Sequence, residues 1–128
     1  MSQVATTSKI EPIIALCERY KEFGPFPMRA WIKLPDFRIE IYIRRTKRHI
    51  DGQIEETLDL ASFEIEETFR GKGMFSEMLG LVEDYAFAEG LTIFVESVLN
   101  ERLRGFLSRR GYKTSEVDEL CYYKRKPE

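Results

Sequence analysis

Arg70, Gly71, Lys72 and Gly73 stand directly before an apolar run with helical spacing. A strand, a glycine turn and a helix in that order aim successive backbone N–H groups into one concavity at the positive end of the helix dipole, which favours a phosphate. Glycine lets a ligand approach the backbone closely, and Arg70 and Lys72 add positive charge beside it. The stretch is not a Walker A loop, because Lys72 is followed by Gly73 rather than by Ser or Thr. It fits the dinucleotide fingerprint poorly as well. That pattern would place its third glycine at Ser76 and would open a βαβ unit, whereas three antiparallel-looking strands precede this turn.

Other reactive side chains are few. His49 is the sole histidine and lies in a charged segment with Arg44, Arg45, Lys47 and Arg48, which reads as a solvated hairpin tip. Cys17 and Cys121 occupy apolar settings with no second Cys or His at ligand spacing, so buried free thiols are expected and a metal site is not.

The elements that must position the turn follow from hydrophobic period. Ser8 and Glu11 read as a capping box, followed by Ile10, Ile13, Ile14, Cys17 and Tyr20 at helical spacing and a stop at Gly24-Pro25. Residues 28–34 and 37–45 alternate apolar and polar with Pro35-Asp36 as their turn, and Asp51-Gly52 is a hairpin signal before a third strand over 57–65. In that third strand Leu58 and Leu60 keep the alternation, Ala61-Ser62 breaks it, and Phe63 and Ile65 resume it, as a β-bulge would require. Phe75, Met78, Leu79, Val82 and Tyr85 line a helix ending at Gly90. Residues 91–98 read as a central strand, Asn100 caps a further helix ending at Gly111, and the remainder closes as a hairpin.

A chain of 128 residues, 43% hydrophobic and 33% charged, suits one domain over residues 1–128. With 20 basic and 22 acidic side chains intermixed, no global field favours nucleic acid or a membrane. The first residues lack the pattern of a signal peptide and no apolar run approaches a bilayer span, so a cytoplasmic protein is expected.

Residues 70–75 follow the pattern Arg/Gln-x-x-Gly-x-Gly/Ala except at the last position, Phe75, and NERLRGFLSRRGY, 100–112, supplies an Asn, apolar helix positions and a closing Gly-aromatic pair. Over about residues 57–113 the chain thereby resembles the GNAT superfamily of acyl-CoA N-acyltransferases. The resemblance implies an α/β (α+β) fold, with a mixed, mostly antiparallel sheet flanked by helices and splayed central strands. It implies acetyl-CoA as co-substrate, its pyrophosphate held by Arg70, Gly71, Lys72, Gly73, Met74 and Phe75, its pantetheine arm paired with the backbone of Phe63 and Ile65, and Asn100 touching it from the other side.

The activity implied is transfer of acetyl to a primary amine on a small molecule or a protein. The alternative is a coenzyme A-binding regulatory protein with little or no turnover. No nucleic-acid or membrane partner is expected, and the chain is read as a monomer or homodimer. The family's Tyr proton donor, seven residues beyond the motif Asn, falls on Leu107, which leaves Ser108, Tyr112, Tyr122, Tyr123, water or no acid at all. For the base, Glu96 comes first, at a strand end among apolar neighbours that would raise its pKa, with Asp59 and Glu56 next.

Overall fold

The computed structural model describes residues 8–24, 26–65, 71, 73–116 and 118–128, with the backbone alone at Ile65. A 3-10 turn, Ser8–Ile10, leads into α1, Glu11–Phe23. The capping box is not what opens this helix. Ile10 stands at the N-cap without a side-chain cap bond, and a proline in the first turn, where its missing N–H costs nothing, starts the helix instead.

Among the described residues six strands form one sheet in the order β1-β2-β3-β4-β6-β5. They are β1, Met28–Leu34, β2, Ile39–Ile50, β3, Gln53–Ile65, β4, Thr92–Val95, β5, Lys113–Thr114, and β6, Tyr122–Lys124. Of these strands, β3 and β4 pair in parallel and the other neighbours pair antiparallel. Joining that pair is α2, Met74–Ala88, and after β4 comes α3, Glu101–Arg109.

The β2–β3 hairpin is longer than expected. Asp51 (φ 49) and Gly52 (φ 86) both take left-handed backbone, the requirement of a tight two-residue hairpin, so pairing continues to Ile50↔Gln53. The segment read as a solvated tip is therefore mostly strand. Arg45 is buried over the Tyr20 ring at 4.1 Å, and Arg44 and Arg48 are half-buried on the opposite face. The expected strand over 91–98 is shorter, ending at Val95, because Ser97 (φ 51) turns the chain.

Alternation along the strands sends Ile41, Ile43, Leu58, Leu60, Ile93 and Val95 to one face. There they pack with Ile13, Leu16 and Cys17 of α1, Met78, Leu79 and Val82 of α2, and Leu107 of α3. Each such side chain contributes about 1.5–3 kcal/mol by leaving water. Among the described residues no helix covers the other face, and no helix is long and apolar enough to cross a membrane.

Cys17 is 2% exposed, and burial pushes its thiol from 9.0 up to about 11 against the pull of the Arg45 charge. A thiol that ionises later in the folded chain than in the unfolded one contributes stability that is intact below pH 9.0 and lost as pH climbs towards 11. The difference corresponds to roughly 2–3 kcal/mol. Cys17→Ala should flatten the alkaline limb of a urea-derived stability profile over that window. A limb as steep as the wild type's would remove the thiol as its cause.

Candidate functional site

The bulge falls where the alternation slipped. Tyr42 pairs with Ser62 and Ile43 with Leu60, so Ala61 is the extra residue. Its physical effect is on parity: without it Phe63 would face away from the helices, and with it the Phe63 ring stacks on Phe75 at 4.8 Å. Phe106 of α3 meets Phe75 edge-on at 5.9 Å, so three aromatic rings from β3, α2 and α3 form one apolar floor.

Beyond the bulge the sheet opens. β3 and β4 pair only from Thr57↔Thr92 to Leu60↔Val95, and the last rung is the Glu96 N–H donating to the Leu60 carbonyl at 3.1 Å. The chain then leans towards β6, where the Val98 N–H donates to the Leu120 carbonyl at 2.7 Å. Among the described residues, 61–65 pair with β2 on one side and with no strand on the other, a free backbone edge of the kind that accepts an extended ligand.

At the mouth of this opening Gly71 (φ 76) and Gly73 (φ 78) both hold left-handed backbone, and Gly73 caps α2. The first helical bond runs from the Glu77 N–H to the Gly73 carbonyl at 3.0 Å, so the N–H groups of Met74, Phe75 and Ser76 lie outside the helix ladder. Arg70 and Lys72, expected to flank this turn, lie outside the described residues. Phe63, Glu64, Gly71 and Phe75 form one wall of a cleft of 820 Å³, and α3 from Asn100 to Arg109 forms the other. Asn100 borders it while its side chain accepts from the Leu103 N–H at 3.0 Å, so the helix-cap role is made. Ile65, expected to pair with the pantetheine arm beside Phe63, ends β3.

The catalytic candidates sit differently from what their neighbours in sequence suggest. Glu96 is at the crotch of the splay, on the face without helices, and its surroundings are ionic rather than apolar. It accepts from Arg44 Nη1 at 2.9 Å and from Arg48 Nη2. Asp59 is fully buried beside it, accepting from Arg48 Nε at 2.9 Å and from the Thr57 hydroxyl at 2.8 Å. Burial pushes the Asp59 carboxyl up, and the Arg48 hydrogen bond and charge pull it back. Glu56 is at the hairpin, 2.8 Å from Arg45.

None of the proposed acids lines the cleft. Leu107 is 0% exposed in the core, Tyr122 packs in the same core, and Tyr123 donates to Asp51. Tyr112 donates to Glu83 at 2.7 Å, and burial together with that negative charge pushes its hydroxyl far up. The cleft-lining residues that sequence reasoning passed over are Arg102 and Arg109. Their spacing with Phe106 places all three on one helix face, which was the available signal.

This arrangement defines the class: an antiparallel sheet splayed at one parallel pair, with a glycine turn and helix N-terminus at the opening, is GNAT-like. Among solved structures, the KacTA–DNA complex superposes with a TM-score of 0.55 at 14% identity, over 91% of this chain and 80% of that one. AtaTR bound with AcCoA gives 0.51 at 16% identity over 66% of this chain and 57% of that one. The AtaT–AtaR complex bound to DNA gives 0.50 at 16% identity over 67% of this chain and 59% of that one. The matched part is thus about three fifths of the length of the two AtaT chains. No family model and no curated protein sequence matches the chain.

At these identities the likeness establishes the fold. It also corrects one expectation. Two proteins built on this fold are seen in complexes with DNA, so the exclusion of nucleic-acid partners does not stand. Balanced net charge was a poor guide, because contact with nucleic acid depends on local patches and on partner chains rather than on the sum over the molecule.

Proposed function

We propose that residues 1–128 form one GNAT-like domain that binds acetyl-CoA in the cleft and transfers its acetyl group to a primary amine, acting in the cytoplasm where that thioester is supplied. The observations that carry this are the free edge of β3 over 61–65 and the left-handed Gly71 and Gly73 before α2. Pantetheine would pair along 61–65, and the pyrophosphate would meet the amides of 71–76 with Arg70 and Lys72 beside it. The structure of AtaTR with AcCoA supports the choice of cofactor.

The chemistry left to the chain is positioning of a neutral amine against the thioester, donors for the oxyanion, and exclusion of water. In this reading the thioester reaches the crotch beside Leu60 and Glu96. Backbone groups freed by the splay face the carbonyl there, and Glu96 acts as base only by exchanging an arginine partner for the amine. The acceptor class includes amines on small molecules, proteins and nucleic acid-borne groups.

A second reading, cofactor binding without turnover, is favoured by the buried Leu107 and by the bonded hydroxyls of Tyr112 and Tyr123. One assay separates the two. Acetyl-CoA should raise the melting temperature, and pooled amines should then release free thiol. Stabilisation without thiol release supports the second reading, and no stabilisation at all removes both. In the same assay, unchanged thiol release by Glu96→Gln would rule the carboxylate out as base.

A further inference from the structure

Four arginines lie on α3 and its C-cap: Arg102, Arg104, Arg109 and Arg110. Two have carboxylate partners. Arg104 lies 3.8 Å from Glu101, and Arg110 forks onto Glu83 at 3.0 and 2.9 Å. Arg102 and Arg109 are exposed, border the cleft, and form no ion pair or hydrogen bond with any described residue.

Seven residues separate them, about 10 Å along the axis and on one face. Gly105 shortens that distance. A Cβ built there would stand 3.1 Å from Arg109 Nη1, so the Arg109 guanidinium lies back along the helix towards Arg102. Arg102 also sits in the first helical turn, where the dipole disfavours a cation. Two like charges are thus brought towards each other against local preference, with Glu64 on the facing wall and Glu101 beside Arg104 as the acids bordering the same cleft. Such a local conflict in a concave site is characteristic of a binding role.

We infer that Arg102 and Arg109 form a second anion subsite, apart from the glycine turn, which takes the ribose 3′-phosphate of coenzyme A; this rests on the cofactor reading above. A terminal phosphomonoester presents more charge and more acceptor oxygens than either phosphoryl of the diester-linked pyrophosphate. Guanidinium forks suit it better than backbone amides do. The division of labour follows: turn amides hold the pyrophosphate, and α3 selects the nucleotide that carries the 3′-phosphate.

Calorimetric titration of the full chain with coenzyme A and with 3′-dephospho-coenzyme A tests it. The wild type should hold coenzyme A about tenfold tighter. The Arg102→Gln/Arg109→Gln variant should bind both equally, at the wild-type affinity for the dephospho form, which also shows the variant to be folded. Equal affinities in the wild type, a preference kept by the variant, or loss of dephospho-coenzyme A binding in the variant would each overturn the subsite. Binding of neither nucleotide by the wild type would overturn the cofactor reading itself, and the subsite with it.

Discussion

Glu83→Leu is expected to lower the free energy of unfolding by about 2–4 kcal/mol. Glu83 stands on the buried side of α2 with its side chain 9% exposed, and among the described residues it accepts from two side chains and has a second cation nearby. Arg110 reaches it through Nε and Nη2 at 3.0 and 2.9 Å, Tyr112 through its hydroxyl at 2.7 Å, and Lys124 Nζ lies 3.8 Å away. Removing the carboxylate strands a guanidinium and a hydroxyl that have already lost most of their water. The loss is kept below that of a fully enclosed pair because the Arg110 side chain is 26% exposed. Against a typical total of about 5–15 kcal/mol, this is a large fraction.

Urea unfolding checks the size, and a paired variant checks the cause. Glu83→Leu/Arg110→Met should recover much of the loss, since replacing both partners by apolar groups is far cheaper than orphaning one. A double variant no more stable than Glu83→Leu alone would show that packing rather than the ion pair is responsible. The same substitution should weaken acetyl-CoA binding, because the Arg110 fork onto Glu83 ties the C-cap of α3 to α2, and both helices border the cleft.

Gly73→Ala should cost about 1 kcal/mol of stability and weaken acetyl-CoA binding by roughly 10–100-fold. The stability cost is purely conformational. Gly73 has φ 78, and a Cβ there would meet no described residue within 4 Å, so the penalty is that of placing an L-residue in left-handed backbone. The binding cost has a different origin, since in the proposed reading the new methyl group stands where the pyrophosphate approaches the amides. Gly52 provides the matched control. It has φ 86 and equally open surroundings, but it lies at the hairpin between β2 and β3. Gly52→Ala should therefore show the same fall in melting temperature with the ligand shift intact. Equal ligand shifts in the two variants would sink the assignment of the turn as the phosphate site.

Local chemistry made much of this fold readable. The Asp51-Gly52 hairpin, the glycine start of α2 and the Asn100 cap depend on residue type within a few positions, and each is where residue type puts it. The bulge at Ala61 was legible for a related reason, since a break in period two has to be absorbed by an unpaired residue if Phe63 is to stay on the helix face. The start of α1 was misread at equally short range, where a proline competed with a capping box and set the helix start.

The ionic side chains mark the limit of such reading. Arg44, Arg45 and Arg48 look like a solvated cluster in one dimension, and Glu96 looks isolated among apolar residues. Arg44 and Glu96 are 52 positions apart, and Arg48 and Glu96 are 48 apart, yet both pairs meet because β2, β3 and β4 are neighbours in the sheet. No local rule encodes that juxtaposition. The order of elements, the glycine turn and the motif residues were present in the amino-acid sequence because backbone preference and hydrophobic period act over a few residues. Which carboxylates are paired, which hydroxyls are engaged and which two arginines are left facing the cleft were decided only when distant strands and helices packed, since charge pairing follows distance in space and not separation along the chain.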